Sequence, residues 1–294
     1  MSPPTRSGFI ALAGRPNVGK STLANAIVGT KVAIVSDKPQ TTRRAIRGVA
    51  TGPDWQLVLI DLPGVQRPRD ALTSRMQRRV ERELGDADGC LFVVNAEQGI
   101  GPGDRFIANL LRPAQIPVVV VVNKVDSANQ SGTAAALQAA ADLDVAEEIF
   151  PISARTGSGV RSLVDFLISL LPPGPFYFES RQHSDQPERV WLAELIREQV
   201  LARTREEVPH SVEVAVEAVD EGDPVRIEAV ILAETESQKR ILIGAGGQMV
   251  KSIGIAARRA IERELGAHVH LALSVRVRRH WRADENLLDR LGIE

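Results

Sequence analysis

Eight residues, Gly14-Arg15-Pro16-Asn17-Val18-Gly19-Lys20-Ser21, have the spacing of a phosphate-binding loop. Such a loop needs an apolar strand before it and a helix after it. Phe9–Ala13 and Ser21–Val28 read as those elements. Gly14 and Gly19 let backbone N–H groups turn inward around phosphate oxygens, with Asn17 and Val18 between them. At this spacing Lys20 meets the β- and γ-phosphates and the Ser21 hydroxyl holds Mg²⁺. Ser21 and Thr22 stand in the first turn of the helix, whose N-terminus favours the anion.

Three further strings lie where strands end. Asp61-Leu62-Pro63-Gly64 closes a second strand, Gln56–Ile60. An acid there reaches Mg²⁺ through water, and the Gly64 N–H beyond Pro63 can sense the γ-phosphate. Asn123-Lys124-Val125-Asp126 closes Val118–Asn123. The Asp126 carboxylate suits the N1–H and N2–H₂ donors of guanine, which adenine lacks. The Lys124 stem can lie over the base. Ser153-Ala154, after Glu148–Pro151, offers a backbone donor to guanine O6. All lie at C-terminal strand ends, where open α/β sheets bind ligands, so the expected ligand is GTP or GDP.

In the polar loop Gln40-Thr41-Thr42-Arg43 a threonine must reach the metal, and Thr42 is the candidate. The expected metal set is Ser21, Thr42 and Asp61; the expected catalytic set is Lys20, Asn17, Thr42 and Gly64. Many GTPases place a glutamine after this glycine to orient the attacking water. Val65 cannot do so, which predicts slow hydrolysis that relies on another group. Gln66 is adjacent, and the Asn17 amide oxygen can bind a monovalent cation, K⁺, near the phosphates.

These motifs need elements to hold them. Helices are expected at Arg75–Leu84, Asp104–Leu111, Thr133–Ala141 and Val160–Leu170, with a further strand at Cys90–Asn95. Strands separated by helices predict an α/β fold, a P-loop domain with a mostly parallel sheet. Leu171-Pro172-Pro173-Gly174-Pro175 ends that pattern. The expected organisation is a GTPase domain over 1–171, a linker over 172–187 and a smaller α+β domain over 188–294. With 294 residues, 44% hydrophobic and 25% charged, the chain can build two cores, so bulk disorder is excluded. One cysteine, Cys90, excludes a disulfide framework and fits a reducing cytoplasm.

The net charge of −1 hides a separation. Between Gln238 and Arg282 stand ten Lys/Arg and only two acids, Glu262 and Glu264, a local +8 against −9 elsewhere. Inside it, Ile243-Gly244-Ala245-Gly246-Gly247 lies between two expected helices. A GxxG loop alone also suits a helix–turn–helix with a glycine cap, but the element order helix–strand–strand–helix–helix–strand and the basic segment point to a KH module, whose loop clamps single-stranded nucleic acid. Lys239, Arg240, Lys251 and Arg258 are expected to meet the RNA. Val250, Ile253, Ile255 and Ala256 are expected to line the base groove. Arg276 and Arg278 are expected on one strand face, with Trp281 either stacked on a base or, if this is a solvated charged strand edge, packed in the core.

These residues carry a resemblance. Gly14–Ser21, Gln40–Arg43, Asp61–Gly64, Asn123–Asp126 and Ser153-Ala154 stand ahead of the KH-like part, where Ile241–Gly244, Lys251–Gly254, Ala257-Arg258, Leu271–Val277 and Trp281-Arg282 follow. The chain resembles the Era family of bacterial GTPases from about Gly8 to Gly292. The resemblance implies a Ras-like GTPase domain joined to a type II KH domain. It implies binding near the 3′ end of 16S rRNA, a role in maturing the small (30S) ribosomal subunit, and a cytoplasmic monomer partly at the inner membrane face. Two alternatives stand beside it: an RNA-binding assembly factor whose nucleotide site is structural, and a GTP-dependent regulator of division or metabolism. The family usually has threonine at Leu62 and a lysine between the KH glycines, where Ala245-Gly246 stands here; losing that charge weakens RNA binding.

Overall fold

A computed structural model describes residues 5–65, 70–206 and 208–293. The chain divides into two compact units, the second beginning in the main at Gln186.

The first unit contains β1 (Arg6–Ala13), α1 (Lys20–Val28), β2 (Ile46–Thr51), β3 (Trp55–Asp61), α2 (Ala71–Asp86), β4 (Gly89–Asn95), α3 (Pro102–Leu111), β5 (Val118–Asn123), α4 (Gln130–Ala141), β6 (Glu148–Pro151) and α5 (Val160–Leu170). Its six-stranded sheet has the order β2-β3-β1-β4-β5-β6. β4 and β5 are buried along their whole length, because helices cover both faces. Their alternation splits the core. Phe92, Val94, Val120 and Val122 pack on one face with Ile107 of α3, while Leu91, Val93, Val119 and Val121 pack on the other with Leu23 of α1 and Leu163 of α5. Cys90 belongs to the first of these cores, where burial pushes its thiol up to about 12.

The sheet is mostly parallel, as expected, and its one antiparallel pair lies at one edge. β2, which the sequence pattern did not indicate, pairs antiparallel with β3 through a tight turn in which Gly52 N–H donates to Trp55 O at 2.8 Å. Ile46-Arg47-Gly48 reads as loop by composition, since glycine weakens a strand, and only pairing with β3 makes it one. Asp61 therefore closes the third strand of the chain, not the second. Polarity is kept at the ends of β1, β3, β5 and β6, so the four motifs still meet along one sheet edge. The chain crosses from β3 past β1 to β4, which makes that edge a topological switch point.

The proline-rich segment after α5 is held against the first unit. Gly174 N–H donates to Thr5 O at 2.9 Å and Ser7 Oγ to Pro175 O at 2.6 Å. The buried Gln56 side chain accepts from Tyr177 and Phe178 N–H at 2.8 and 3.0 Å. A buried amide with partners on this strap satisfies both, which is why a segment that cannot form helix stays ordered along the sheet.

The second unit contains α6 (Glu188–Arg203), α7 (Val208–Ser211), β7 (Glu213–Asp220), β8 (Val225–Ala233), α8 (Glu236–Ile243), α9 (Gln248–Leu265), β9 (Val269–Val277) and α10 (Glu285–Arg290). Its sheet has the order β7-β8-β9, with the β7–β8 pair antiparallel and the β8–β9 pair parallel. α8 opens with a capping box, Thr235 Oγ1 accepting from Gln238 N–H at 3.2 Å. One open reading is decided here and one expectation fails. Trp281 is fully buried and its Nε1–H donates to Ser211 O at 2.9 Å, so it anchors the chain's end and cannot stack on a base. Ile253 is also fully buried, in the core with Ala257 and Ile261. Those residues are i, i+4 and i+8 on α9, which is the inward stripe of the helix rather than its groove face.

Candidate nucleotide site and nucleic-acid interface

The loop between β1 and α1 holds Gly14 to Gly19, with Asn17 in the left-handed region at φ 65°, which asparagine tolerates. Lys20 is buried. Its Nζ donates to Gly14 O at 3.0 Å and Arg15 O at 3.1 Å, so the ammonium sits over the loop's own backbone. Burial lowers its pKa to about 8, against the pull of Asp61. Thr22 lies half-buried in the first turn of α1. Arg15, which the sequence reading passed over, braces the loop: its Nε donates to Asp104 Oδ1 at 2.8 Å, while Asp104 Oδ2 accepts from Gly101 N–H at the start of α3.

Three segments far apart in sequence converge on one carboxylate. Ser21 Oγ donates to Asp61 Oδ2 at 2.6 Å, Thr42 Oγ1 donates to the same oxygen at 3.2 Å, and the two hydroxyl oxygens lie 3.0 Å apart. Burial pushes the Asp61 carboxyl up, opposed by Lys20 and by the bonds from Ser21 and Thr42. Asp61 Oδ1 is buried with no hydrogen-bond partner among the described residues. An all-oxygen cluster with an unsatisfied buried carboxylate oxygen fits a hard divalent cation such as Mg²⁺.

Pro63 is buried beside Gly64, and Val65 N–H donates to Gly14 O at 3.2 Å, which ties this loop to the phosphate loop. A Cβ on Gly64 would stand 2.8 Å from Pro16 Cγ and 2.9 Å from Pro16 N, so only glycine allows this approach. Val65 itself is buried. Gln66 lies outside the described residues.

The base-specific half is also assembled. Asn123 Nδ2–H donates to Val18 O at 2.9 Å, and Asn123 Oδ1 accepts from Ala154 N–H at 3.0 Å. Asn123 thereby pins the phosphate loop to the Ser153-Ala154 turn. The Ala154 amide expected to face guanine O6 is engaged with Asn123, because that side chain stands between strand end and turn. Lys124 Nζ donates to Asn17 O at 2.7 Å. Asp126 is held below the usual carboxylate range by a hydrogen bond from Ser153 and by the Arg155 guanidinium, with which it forms an ion pair. Arg155 was missed in the sequence, although its charge directly follows Ser153-Ala154.

In the second unit the GxxG loop connects α8 to α9. Gly244 sits at φ 74°, and a Cβ there would come within 2.9 Å of Met249 N. Ile243 and Gly247 are half-buried, and Ala245 and Gly246 are exposed at the tip. Lys239 lies half-buried and Arg240 exposed on α8. A groove of about 640 Å³ runs between α9 and β9, lined by Val250, Lys251, Ile255, Arg258, His268 and His270 among others. The histidines, not expected at the groove, add donors to an apolar floor with two cations. Ala256 faces the other side of α9, toward α6. Arg276 pairs with Glu217 at 2.5 Å and Arg278, one residue past β9, with Asp284 at 2.7 Å. Their charges are shared with carboxylates.

This architecture has relatives. Residues 9–124 match the family model of the 50S ribosome-binding GTPases, and residues 207–282 match the KH domain model. The GTPase Era of Carboxydothermus hydrogenoformans is 47% identical over 94% of this chain and 94% of its own length. GTPase Era of Lactobacillus helveticus is 45% identical over 98% and 96%, and that of Mycobacterium tuberculosis is 45% identical over 97% and 98%. Among solved structures, a point variant of Aquifex aeolicus Era bound to GDP·AlF4⁻ is 35% identical with a TM-score of 0.93, covering 98% of this chain and 99% of the other. Era in complex with MgGDPNP and nucleotides 1506–1542 of 16S ribosomal RNA is 36% identical with a TM-score of 0.94, over the same shares. Both domains, in this order and over nearly the full length, place this chain in the Era family of GTPases.

Proposed function

We propose that this protein hydrolyses GTP to GDP and phosphate, and that its nucleotide state sets how the KH domain holds the 3′ region of 16S rRNA while the small ribosomal subunit matures. The observation that carries this reading is the convergence of Ser21, Thr42 and Asp61 on one oxygen beside Lys20. That cluster joins the phosphate loop, the Thr42 loop and the Asp61–Gly64 loop, so a γ-phosphate there orders all three at once. The relative crystallised with 16S RNA supports the choice of RNA.

In this reading water attacks the γ-phosphorus and the bond to the bridging β-oxygen breaks, releasing GDP. Lys20 leaves the loop carbonyls for the β- and γ-phosphate oxygens. Ser21, Thr42 and Asp61 would hold Mg²⁺, and charge neutralisation on the phosphate oxygens is what the bound cation supplies. Gly64 presents its N–H to the γ-phosphate and is released when that group departs. Val65, buried and apolar, orients no water. The Asn17 side chain would hold K⁺ near the phosphates and the ion would supply positive charge there, so turnover in potassium is expected to exceed turnover in sodium. Equal turnover in the two salts removes the cation from the mechanism.

The protein acts in the cytoplasm as a monomer, with peripheral contact to the inner membrane face. Among the described residues no helix is long and apolar enough to cross a membrane. The coupling is tested by titrating the 3′-terminal tail of 16S RNA with the protein in GDP and in a non-hydrolysable GTP analogue. Tighter binding with the analogue, lost in Lys20→Ala, is the expected result. Equal binding in both states breaks the coupling and favours the assembly factor with a structural nucleotide site.

A further inference from the structure

The side chain of Arg15 leaves the phosphate loop for the start of α3. Its Nε donates to Asp104 Oδ1 at 2.8 Å and its Nη2 to Gly99 O at 3.4 Å. Arg15 and Asp104 stand 89 residues apart, and the Asp104 side chain is fully buried. The fit is close: a Cβ on Gly103 would stand 2.6 Å from Arg15 Cδ and 3.1 Å from its Cγ. Packing that excludes even a methyl group holds the arginine stem in one place.

The far end of this brace is itself fixed. Asp104 Oδ2 accepts from Gly101 N–H at 2.8 Å, which closes the first turn of α3. Asn95 Oδ1 accepts from Glu97 N–H at 2.9 Å, and Ala96 N–H donates to Asn123 O at 2.8 Å. Asn123 in turn holds Val18 O. The phosphate loop is therefore tied at two points, by Asn123 at Val18 and by Asp104 at Arg15.

The near end touches the groups expected to meet the γ-phosphate. Gly14 O and Arg15 O both accept from Lys20 Nζ, and Gly14 O also accepts from Val65 N–H at 3.2 Å. Pro16 sets how closely Gly64 approaches. Three consecutive residues thus meet both the lysine of the site and the loop that follows Asp61. Capping α3 uses only Asp104 Oδ2, so the bond from Arg15 is not needed to build that helix. Its consequence falls on position instead, and a misplacement of about 1 Å can cost about a hundredfold in rate.

We propose that Arg15 is a positioning residue for GTP hydrolysis: through Asp104 it holds Gly14 and Pro16 where Lys20 and the Gly64 N–H both reach the γ-phosphate. Arg15 itself touches no reacting atom. The proposal rests on the role given above to Gly64. The base contacts and the Asn123 side of the loop do not depend on the brace, so its loss falls on kcat rather than on nucleotide binding.

The test measures kcat and KM for GTP and Kd for GDP in wild type, Arg15→Gln, Asp104→Asn, the two together, and Arg15→Lys. Asparagine keeps an oxygen for Gly101 N–H and turns its amide N–H₂ toward the guanidinium, so Asp104→Asn breaks the brace while α3 stays capped. Each of Arg15→Gln and Asp104→Asn is expected to lower kcat about tenfold, with KM and GDP affinity within about threefold of wild type. The double variant is expected to be no slower than either single one, since both break one contact. Arg15→Lys recovers most of the loss, because its ammonium still reaches the carboxylate. Gly103→Ala, which displaces the arginine without removing a charge, lowers kcat in the same way.

A kcat within about twofold of wild type in both single variants overturns the proposal, as do additive losses in the double variant. A fall in kcat matched by equal falls in GDP affinity and in the unfolding temperature of the GDP complex makes the pair a structural tie and also overturns it. Gly64→Ala separates this proposal from the reading beneath it. Unchanged kcat in that variant removes the roles of Gly64 and Arg15 together. A fall there, beside unchanged kcat in Arg15→Gln, removes the role of Arg15 alone.

Discussion

Asp126→Asn exchanges the nucleotide that this protein prefers. In the proposed reading the wild-type carboxylate accepts from N1–H and N2–H₂ of guanine, and Ser153 and Arg155 keep it anionic. An amide accepts from N1–H but meets the N2 amino group with its own N–H₂, donor against donor. Losing two charge-assisted bonds costs about 3 to 4 kcal/mol, a fall of about 10² to 10³ in GTP and GDP affinity. Xanthine carries a carbonyl where guanine carries that amino group, so the amide then pairs at both positions. Titration with fluorescent guanine and xanthine nucleotides should show the two preferences cross. Guanine affinity retained within threefold would mean that the base is read elsewhere, and the assignment of Asp126 would fall. The substitution leaves the Ser21–Thr42–Asp61 cluster untouched, so hydrolysis of bound xanthosine triphosphate is expected at near the wild-type rate.

Arg197→Leu strongly destabilises the second unit. Arg197 is fully buried on α6, with its NH2 2.5 Å from Glu194 Oε2 and its Nε 3.8 Å from Glu213 Oε1 on β7. Burial opposes the charge of the guanidinium, and the two carboxylates outweigh that and hold its pKa above the ordinary value. Removing the cation leaves two buried carboxylates facing each other without it. Breaking such a network costs about 3–5 kcal/mol, a large share of the 5–15 kcal/mol that keeps a domain folded. In urea the variant should show an early transition for the KH domain while nucleotide binding by the first unit survives. Leucine at all three positions should recover most of the loss, since apolar packing replaces a buried ion set at little cost. A fall below about 1 kcal/mol in the single variant would mean that water reaches the carboxylates.

These two residues differ in how far the sequence announces them. Asp126 stands in a four-residue string at a strand end, and its chemistry follows from spacing alone. Arg197 sits among Glu194, Glu198 and Arg203 and reads as one more charge on a solvated helix. Nothing local separates a buried cation from an exposed one, because burial depends on what β7 brings against α6. Arg155 follows the same logic, since its role depends on the turn that carries it folding back to Asp126.

The sequence by itself determined the α/β alternation of the first domain, the KH element order and the motifs that stand at each strand end, because short-range pattern dictates them. Period-two apolar runs, loop glycines and motif spacing act within about ten residues, and Val118–Asn123 and Val160–Leu170 appear in the structure with the bounds read from pattern. Only the tertiary structure decided the antiparallel β2, the buried Ile253 and Trp281, and the carboxylate partners of Arg276 and Arg278. Each depends on which surfaces meet across tens of residues. A strand edge, a helix face or a charge acquires its meaning from its neighbour, and the chain supplies that neighbour only when it folds.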